Sequence, residues 1–355
     1  MTHLLPDVQA ATGWATGVAL RRLLVAYRFS WRKRNLVRGF TGRTDVRFVS
    51  RGNDVPAGAD LLLWGSAAVP AGVHEKVRVV RLEDGFLRSV GLGADLTRPI
   101  SWIIDASGIY YDAHAPSDLE VLLQTTVFNP DLLSRATALR QQVVHSGLSK
   151  YNLSGAPWNR PQIERLVVLV IGQVETDASI ATGTVDVRTN MSLLQTVRQA
   201  RPDAWVVYKP HPDVVAGLRR SGSHEDRADQ WADEVLTQGS TAQILDFVDE
   251  VHVMTSLTGF EALLRHKKVY CYGQPFYAGW GLTHDRHAHL RRTRRLSLDE
   301  LVAGALLLYP IYVSCQTRKR CTAEQALKEL VALRRSSQGL LPWWRRVLRP
   351  LLARP

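Results

Sequence analysis

Acidic residues follow apolar runs at two places in the sequence, where they could do acid–base or nucleophilic chemistry. The first is Glu83-Asp84-Gly85, directly after a run that ends at Leu82. In open α/β sheets, ligands bind beyond the carboxyl ends of the strands, so one of these acids can serve as a general base. Asp-Gly is also a common turn signal, and a plain turn is the structural alternative.

The second acidic place is the stretch 172–179, which follows another apolar run and carries Glu175 and Asp177. A carboxylate at the end of a buried strand can attack a sugar carbon and form a covalent intermediate. Acids on such a loop also cap helices, so a structural role is the alternative.

Two further motifs suit the binding of a phosphate. In Lys209-Pro210-His211-Pro212 the prolines fix the backbone around an imidazole near the predicted start of a helix. Prolines also simply end strands, which leaves a structural interpretation open.

The second phosphate motif is the stretch 254–264. It offers backbone amides and the hydroxyls of Ser256 and Thr258 to a phosphate, and Glu261 as an acceptor for ribose hydroxyls. Thr258 and Glu261 also have the spacing of a capping box, which indicates a helix start. The two interpretations are compatible.

Nothing in the sequence demands a metal or a cofactor. There is no Walker motif, the glycines of Gly91-Leu92-Gly93 are too few for a dinucleotide fingerprint, and the histidines lack zinc-ligand spacing. We therefore predict that neither is needed.

Strands alternate with helices along most of the chain, which predicts an α/β fold with largely parallel sheets. The predicted strands are 46–50, 61–64, 77–82, 165–171, 204–208, 250–254 and 269–272, and the predicted helices are 118–124, 131–147, 190–200, 241–248 and 259–265. A hairpin is predicted over 102–111, with its turn at Ser107-Gly108. The strands up to residue 82 and the strands from residue 165 onwards form two separate series. These two series predict two Rossmann-like domains that face a cleft.

The predicted division of the chain has four parts: a basic amphipathic segment 1–44, Rossmann-like domains 45–155 and 156–315, and a basic helical tail 316–355. Basic ends that contain Trp suit the interface of an anionic membrane. A solvated helix packed on the body of the protein is the alternative.

The net charge of the 355 residues is +12, from 45 Lys and Arg against 33 Asp and Glu. This excess implies an anionic partner, namely nucleic acid, acidic lipid or acidic glycan. Nucleic acid is disfavoured, because no RRM or helix-turn-helix pattern is present. An odd number of cysteines, no signal peptide and no span of bilayer length predict a cytoplasmic protein. The basic ends that contain Trp add the expectation that it is peripheral on the inner membrane face.

The order of five motifs closely resembles the capsular-polysaccharide β-Kdo transferases of the KpsC/LipA type, with length for a single module. The motifs are 83–93, 172–179, 208–213, 255–263 and 273–283. The resemblance implies a GT-B fold, CMP-β-Kdo (Kdo is 3-deoxy-D-manno-oct-2-ulosonic acid) as the donor, and transfer with retention. The acceptor implied is a polysaccharide or glycolipid in capsule or surface polysaccharide biosynthesis. The same motifs also look like those of GT-B sialyltransferases, which use CMP-activated keto-sugar acids.

The resemblance also implies roles for single residues. Asp177 is the nucleophile, Glu83 or the adjacent Asp84 is the base, and Arg88 and Lys209 pair with the sugar carboxylate. The other implied donor-binding residues are Ser89, Gln173, Glu175, His211, Pro212, Ser256, Thr258, Gly259, Glu261, Tyr277 and Trp280. The first domain then holds the acceptor and the base, and the second domain binds the CMP-sugar. Capsule assembly proteins are further expected partners. An inverting, sialyl-type transferase and a non-catalytic assembly scaffold are the alternatives.

Overall fold

The chain folds into two α/β domains, each built on one β-sheet. The structure is a computed structural model that describes residues 20–89, 98–148 and 158–337. The strands are β1 Leu24–Tyr27, β2 Arg47–Val49, β3 Asp60–Trp64, β4 Arg78–Asp84, β5 Ser101–Asp105, β6 Val167–Ile171, β7 Trp205–Lys209, β8 Glu234–Val235, β9 Glu250–Val253, β10 Lys268–Cys271, β11 His284–Asp285, β12 Ile311–Val313 and β13 Arg320–Cys321. The helices are α1 Trp31–Thr41, α2 Asp118–Thr125, α3 Pro130–His145, α4 Ala178–Gly183, α5 Asn190–Ala200, α6 Pro212–Val215, α7 Thr241–Phe247, α8 Leu257–Leu263, α9 Leu298–Val302 and α10 Ala323–Ser337. A π-helical turn, Ala303–Leu308, continues α9.

The second sheet consists of six parallel strands in the order β11-β10-β9-β6-β7-β8. Counted from β6, this is the strand order 3-2-1-4-5-6 of doubly wound Rossmann sheets. All five residues of the central strand β6 are buried, as expected for a parallel strand covered on both faces. The direction of growth reverses between β6 and β9, so a ligand site is expected at their carboxyl ends.

The first sheet has seven strands in the order β13-β12-β5-β4-β3-β1-β2. Strands β1 to β4 are parallel, whereas β5, β12 and β13 are added in antiparallel pairs. This sheet extends beyond the predicted range 45–155 at both ends. β1 lies inside it, and the chain returns from the second domain to pair β12 with β5, because the exposed edge of β5 needs a partner.

In its described part, the basic segment 1–44 is not a separate terminal helix. The first three residues of β1 are buried in the sheet. Helix α1 packs Val37 and Phe40 into the core of the same domain. The apolar residues that indicated an amphipathic segment are therefore used inside the first domain, and its arginines stay outside.

The described part of the predicted tail 316–355 forms β13 and α10. α10 buries Ala326, Leu327 and Leu330 against the rest of the protein. The remaining parts of the two basic ends, 1–19 and 338–355, lie outside the described residues. Of the helices that are described, none is long and apolar enough to cross a bilayer.

The predicted hairpin over 102–111 is wrong. Only β5 is a strand there, and it pairs antiparallel with β4. The carboxylate of Asp105 ends the strand, because its Oδ1 accepts the N–H groups of Ser107 (3.0 Å) and Gly108 (2.8 Å). The Ser-Gly pair therefore belongs to an Asx turn that leads the chain towards α2.

The two domains are joined by an ion cluster and an aromatic stack. Glu120 of α2 contacts Arg291 at 2.6 Å and Arg292 at 3.0 Å, both from the second domain. The rings of Phe86 and Phe276 stack with their centroids 4.4 Å apart. These contacts hold the carboxyl end of β4 opposite the carboxyl ends of β6, β7 and β9, across a cleft.

Candidate active site

A cavity of about 380 Å³ lies between the domains. The first domain contributes Glu83, Tyr110 and Tyr111 to its wall. The second domain contributes Ile171, Gly172, Gln173, Asp177, Ala178, Ser179, Lys209, Pro210, His211, Pro212, Arg219, Thr241, Thr255, Ser256, Leu257, Thr258, Glu261, Pro275 and Phe276. The cavity coincides with the switch point between β6 and β9, where sheets of this kind bind ligands.

The cavity brings together nine of the predicted site residues from four separate motifs. These are Glu83, Gln173, Asp177, Lys209, His211, Pro212, Ser256, Thr258 and Glu261. The other seven are not in its wall: Asp84, Arg88, Ser89, Glu175, Gly259, Tyr277 and Trp280.

Glu83 faces the cavity from the end of β4. The strand runs to Asp84, so both acids belong to the strand itself and not to a loop after it. Glu83 Oε1 accepts the N–H of Asp84 at 2.9 Å. Burial and the charge of Glu83 raise the pKa of the neighbouring Tyr111 to about 12. The Tyr111 hydroxyl therefore stays protonated at neutral pH and can donate a hydrogen bond beside Glu83.

Asp84 is paired with Arg88 and does not face the cavity. Arg88 Nε lies 2.5 Å from Asp84 Oδ2, and Arg88 Nη1 donates to Ser89 Oγ at 3.0 Å. Arg88 and Ser89 are buried. The Arg88 guanidinium, which was predicted to pair with a sugar carboxylate, pairs with Asp84 instead. Because Asp84 is paired in this way, Glu83 is favoured over Asp84 as the base.

Asp177 is the N-cap residue of α4, yet its side chain forms no capping hydrogen bond. The N–H groups of Ile180 and Ala181 donate to its backbone carbonyl at 3.0 and 3.1 Å. An N-cap acid commonly accepts an amide of its own helix. Here capping does not occupy the carboxylate, which lines the cavity.

Glu175 has a structural position on the same loop. Its Oε1 accepts the N–H of Asn190 at 2.7 Å, and its Oε2 accepts the N–H of Ser223 at 3.2 Å. Asn190 begins α5, so Glu175 satisfies one of the open amides at the start of that helix. The two acids thus differ in position: Glu175 holds the loop in place, and Asp177 faces the cavity.

Gln173 connects the loop after β6 to the loop after β9. Its Nε2 donates to Thr255 Oγ1 at 3.0 Å, and its Oε1 accepts the N–H of Thr255 at 2.8 Å. The N–H of Gln173 donates to Asn190 Oδ1 at 2.9 Å. Gln173 therefore sets the position of Asp177 relative to Ser256.

Lys209, the last residue of β7, places an ammonium in the cavity wall while it is only 7% exposed. Its Nζ donates to the carbonyl of Gln238 at 3.2 Å. Burial lowers its pKa to about 8, and no carboxylate of the described residues opposes this shift. Because a buried cation without a counter-charge is stabilised by an anionic ligand, Lys209 suits a phosphate or a sugar carboxylate.

The ring of His211 is oriented by the backbone that follows it. His211 Nδ1 accepts the N–H of Asp213 at 3.1 Å, and α6 begins at Pro212 as predicted. In the neutral ring the proton is then on Nε2, which makes Nε2 a hydrogen-bond donor.

The loop after β9 presents hydroxyls at the start of α8. Ser256 is the N-cap, and its Oγ accepts the N–H of Thr258 at 3.2 Å. The predicted capping box of Thr258 and Glu261 is wrong, because both residues lie inside the helix. Their side chains line the cavity together with Ser256.

Three predicted donor-binding residues lie behind the cavity wall. Tyr277 is fully buried, and its hydroxyl donates to the carbonyl of Ser256. A Cβ on Gly259 would lie 2.2 Å from Tyr277 Oη, so only glycine fits there. Trp280 is fully buried, and its Nε1 donates to the carbonyl of Phe276 at 2.8 Å. All three residues are tightly packed and therefore support the cavity wall from behind.

Sequence reasoning missed three cavity residues of clear chemical interest: Arg219, Tyr110 and Tyr111. Arg219 comes after α6, in a stretch without a recognisable motif, and it is exposed. The tyrosines fell in the predicted hairpin, which placed them in the sheet and not at the cleft.

No three His, Cys, Asp or Glu side chains of residues 20–89, 98–148 and 158–337 come together as a metal site. Whether the protein works without a metal or cofactor stays a prediction. The polar groups of the cavity are those that bind a phosphate or carboxylate directly, by cations and hydrogen-bond donors.

The sequence profile of the family described as "Capsule polysaccharide biosynthesis protein" matches residues 61–156 and 155–317. The chain belongs to this family. Every residue that lines the cavity lies within the matched ranges. The match to the capsule polysaccharide biosynthesis family therefore includes the second sheet and the whole site described above, whereas β1, β2 and β13 of the first sheet lie outside the matched ranges.

Two solved structures from Thermosulfurimonas dismutans share the fold of this family member. KpsC as β-Kdo 2,7 transferase is 40% identical with a TM-score of 0.74, and the match covers 88% of this chain and 99% of that one. KpsC as β-Kdo 2,4 transferase is 32% identical with a TM-score of 0.76, and the match covers 87% and 98%. These matches confirm the predicted GT-B-like arrangement of two Rossmann-like domains.

Curated relatives are longer than this chain. The capsule polysaccharide modification protein LipA of Neisseria meningitidis serogroup A is 44% identical over 288 residues, which are 79% of this chain and 41% of LipA. The lipopolysaccharide-processing protein LpsZ of Rhizobium meliloti is 41% identical over 277 residues, which are 76% of this chain and 63% of LpsZ. This family member thus spans about two fifths of the length of LipA.

Proposed function

We propose that this protein is a glycosyltransferase that moves Kdo from CMP-β-Kdo to a polysaccharide or glycolipid acceptor, with retention, in capsule or surface polysaccharide biosynthesis. Membership of the capsule polysaccharide biosynthesis family and the likeness to two KpsC β-Kdo transferases support this proposal. Its site of action would be the cytoplasmic face of the inner membrane, in contact with other capsule assembly proteins.

One observation carries the proposal. Two carboxylates from different domains, Glu83 and Asp177, line the same cavity as a buried cation, Lys209, and an oriented imidazole, His211. A double displacement at a sugar carbon needs a nucleophile and a base on separate sides, and a nucleotide leaving group needs donors and positive charge. The cavity offers these groups in one place.

In the first step, a carboxylate oxygen of Asp177 attacks the anomeric carbon of the donor, and the bond from that carbon to the CMP phosphate breaks. The electron pair leaves with the phosphate, where Lys209 and the Nε2 proton of His211 stabilise the growing negative charge. Hydroxyls of Ser256 and Thr258 and amides at the start of α8 add further donors. The product of this step is a glycosyl ester on Asp177.

In the second step, an acceptor hydroxyl attacks the same carbon from the side of Glu83. Its proton passes to Glu83, and Asp177 leaves as a carboxylate. Two inversions at one carbon give net retention. The Tyr111 hydroxyl stays protonated beside Glu83 because its pKa is about 12, so it can orient the acceptor.

The carboxylate of the sugar needs a cation as well. Arg88 pairs with Asp84, so we assign this role to Arg219, which lines the cavity together with Lys209. One anionic group of the donor then lies at the buried end of the cavity and the other at its exposed rim.

The test is transfer from CMP-Kdo to synthetic Kdo-containing acceptors by Asp177→Asn, with Asp203→Asn as the matched control on an exposed position. We expect Asp177→Asn to fold normally and to lose transfer by at least about a thousand-fold, since the covalent route is lost. Asp203→Asn should match the wild type. NMR of the product anomer reports retention or inversion.

A second variant, Glu83→Gln, should slow the second step and let the ester on Asp177 accumulate. Mass spectrometry of the intact protein after mixing with CMP-Kdo then shows one added Kdo. Near-normal turnover of Asp177→Asn would refute the role of Asp177 as the nucleophile. An inverted product would favour a single displacement with Glu83 as its base.

A further inference from the structure

The surface at the first turn of α1 is basic and carries an exposed indole. Trp31 is 81% exposed, and Arg28 and Arg32 beside it along the chain are exposed as well. Among the described residues neither arginine forms an ion pair, whereas Arg43, further along, pairs with Asp45. The positive charge at this turn is therefore not compensated by the protein.

Two more arginines extend this surface along α1. Arg34 and Arg38 lie over the ring of Phe48, at 5.0 and 5.2 Å from its centroid. Helix α1 has no acidic residue in its first turn. The exposed side of α1 thus carries Arg32, Arg34 and Arg38 together with Trp31.

The inner side of the same turn contacts Trp64, next to the acidic end of β4. Lys33 Nζ lies 3.4 Å from the ring centroid of Trp64, which ends β3. The neighbouring strand β4 ends in Glu83 and Asp84. The first turn of α1 therefore lies beside the part of the cleft that holds the proposed base.

We propose that Arg28, Trp31, Arg32 and Arg34, the α1 surface, dock the protein on a membrane that contains anionic lipid. Guanidinium groups are attracted by anionic headgroups, and an indole partitions to the interface between lipid and water. Trp31 is largely exposed at the start of the helix and is not enclosed as a ligand in a pocket would be, which fits a flat lipid surface better than a single glycan chain.

Docking through the α1 surface places the first domain, which carries the proposed base, next to the membrane. A lipid-linked acceptor in the same membrane is then held near the domain that carries Glu83. This orientation rests on the proposed function, whereas the docking itself does not.

The test is sedimentation of the full chain with vesicles of phosphatidylcholine, either alone or with one third phosphatidylglycerol, in the absence of any sugar nucleotide. We expect sedimentation with the anionic vesicles, weakening as salt is raised. Removing two basic residues near an anionic surface weakens the partition about 30-fold, so Arg28→Ser with Arg32→Ser should lose most of the binding. Trp31→Ala should weaken binding several-fold and leave the salt dependence in place.

Matched controls remove the same chemistry from other surfaces. Arg188→Ser with Arg227→Ser takes two exposed arginines from the second domain, and Val127→Ala trims an exposed apolar side chain. Both should sediment like the wild type. The proposal would be overturned if the variant that lacks Arg28 and Arg32 sedimented like the wild type. It would also be overturned if this variant lost binding to a soluble anionic oligosaccharide while its binding to vesicles stayed unchanged.

Transfer assays separate this proposal from the proposed function. The variants of the α1 surface should keep wild-type transfer to a water-soluble acceptor and lose it to a vesicle-borne one. Equal loss on both acceptors would show that the arginines and Trp31 act in the cleft, and docking would be refuted. If the wild type bound vesicles normally but showed no transfer, the proposed reaction would be refuted. The proposal of a docking surface would still hold.

Discussion

Replacing Lys209 with Met separates ligand binding from stability. The wild-type ammonium is buried beside the cavity, and its pKa falls from 10.5 to about 8 through burial. A methionine of similar length fills the same space without a charge. We therefore expect Lys209→Met to bind the donor less well and to unfold at a higher temperature.

The size of both effects follows from the surroundings of Nζ. The lowered pKa corresponds to roughly 3 kcal/mol of unfavourable burial at neutral pH, and the hydrogen bond to the Gln238 carbonyl returns about 1 kcal/mol. The net gain of about 2 kcal/mol raises Tm by roughly 4 to 8 °C. A hydrogen bond from a cation to an anionic ligand contributes about 1.5 to 3 kcal/mol, so kcat/KM should fall about 10- to 150-fold.

The pH dependence has a definite sign. Because the folded pKa lies below the unfolded one, the destabilisation by Lys209 is fully present below pH 8 and disappears as the pH rises to 10.5. The Tm difference between the variant and the wild type should shrink over this range. In the wild type kcat/KM should fall above about pH 8, because the neutral amine no longer attracts the donor.

The assays are calorimetry and donor kinetics across this pH range, with Lys268→Met as the control. Lys268 is exposed at the opposite end of a strand of the same sheet. A Lys209→Met protein with a lower Tm and an unchanged donor KM would refute the reasoning, because the ammonium would then be a structural group.

Two further substitutions test structural positions near the site. Glu175→Gln removes the charge that holds the Asn190 amide, so it should cost about 1 kcal/mol in urea unfolding while turnover stays close to that of the wild type. Loss of turnover without loss of stability would contradict this. Glu120→Gln leaves buried Arg292, and Arg291 beside it, without their counter-charge, which should cost about 3 to 5 kcal/mol of unfolding free energy by calorimetry. An unchanged Tm would show that this cluster does not hold the domains together.

The sequence predicted the second domain well because its signals are local. Each buried run that forms a parallel strand there is followed by a polar motif, and the strand order brings these motifs to one edge. The joint position of Asp177, Lys209 and His211 could therefore be expected from strand ends alone.

The first domain was harder to predict because its sheet depends on distant pairings. β1 is four residues long and is preceded by arginines, so its apolar residues fitted a helical period as well. The return of β12 to β5 joins residues about two hundred positions apart, which no local pattern reveals. The Asp84–Arg88 pair and the cavity position of Arg219 depend on turns whose geometry the sequence does not state.

The return of β12 and β13 to the first sheet has a consequence for protein engineering. A fragment that ends with the second sheet would lack both strands and leave β5 as a bare edge, open to association with other chains. Chimeras that exchange donor or acceptor preference should therefore transplant the whole span from β1 to α10. The two halves of the cleft are interleaved in the chain and cannot be swapped as consecutive pieces.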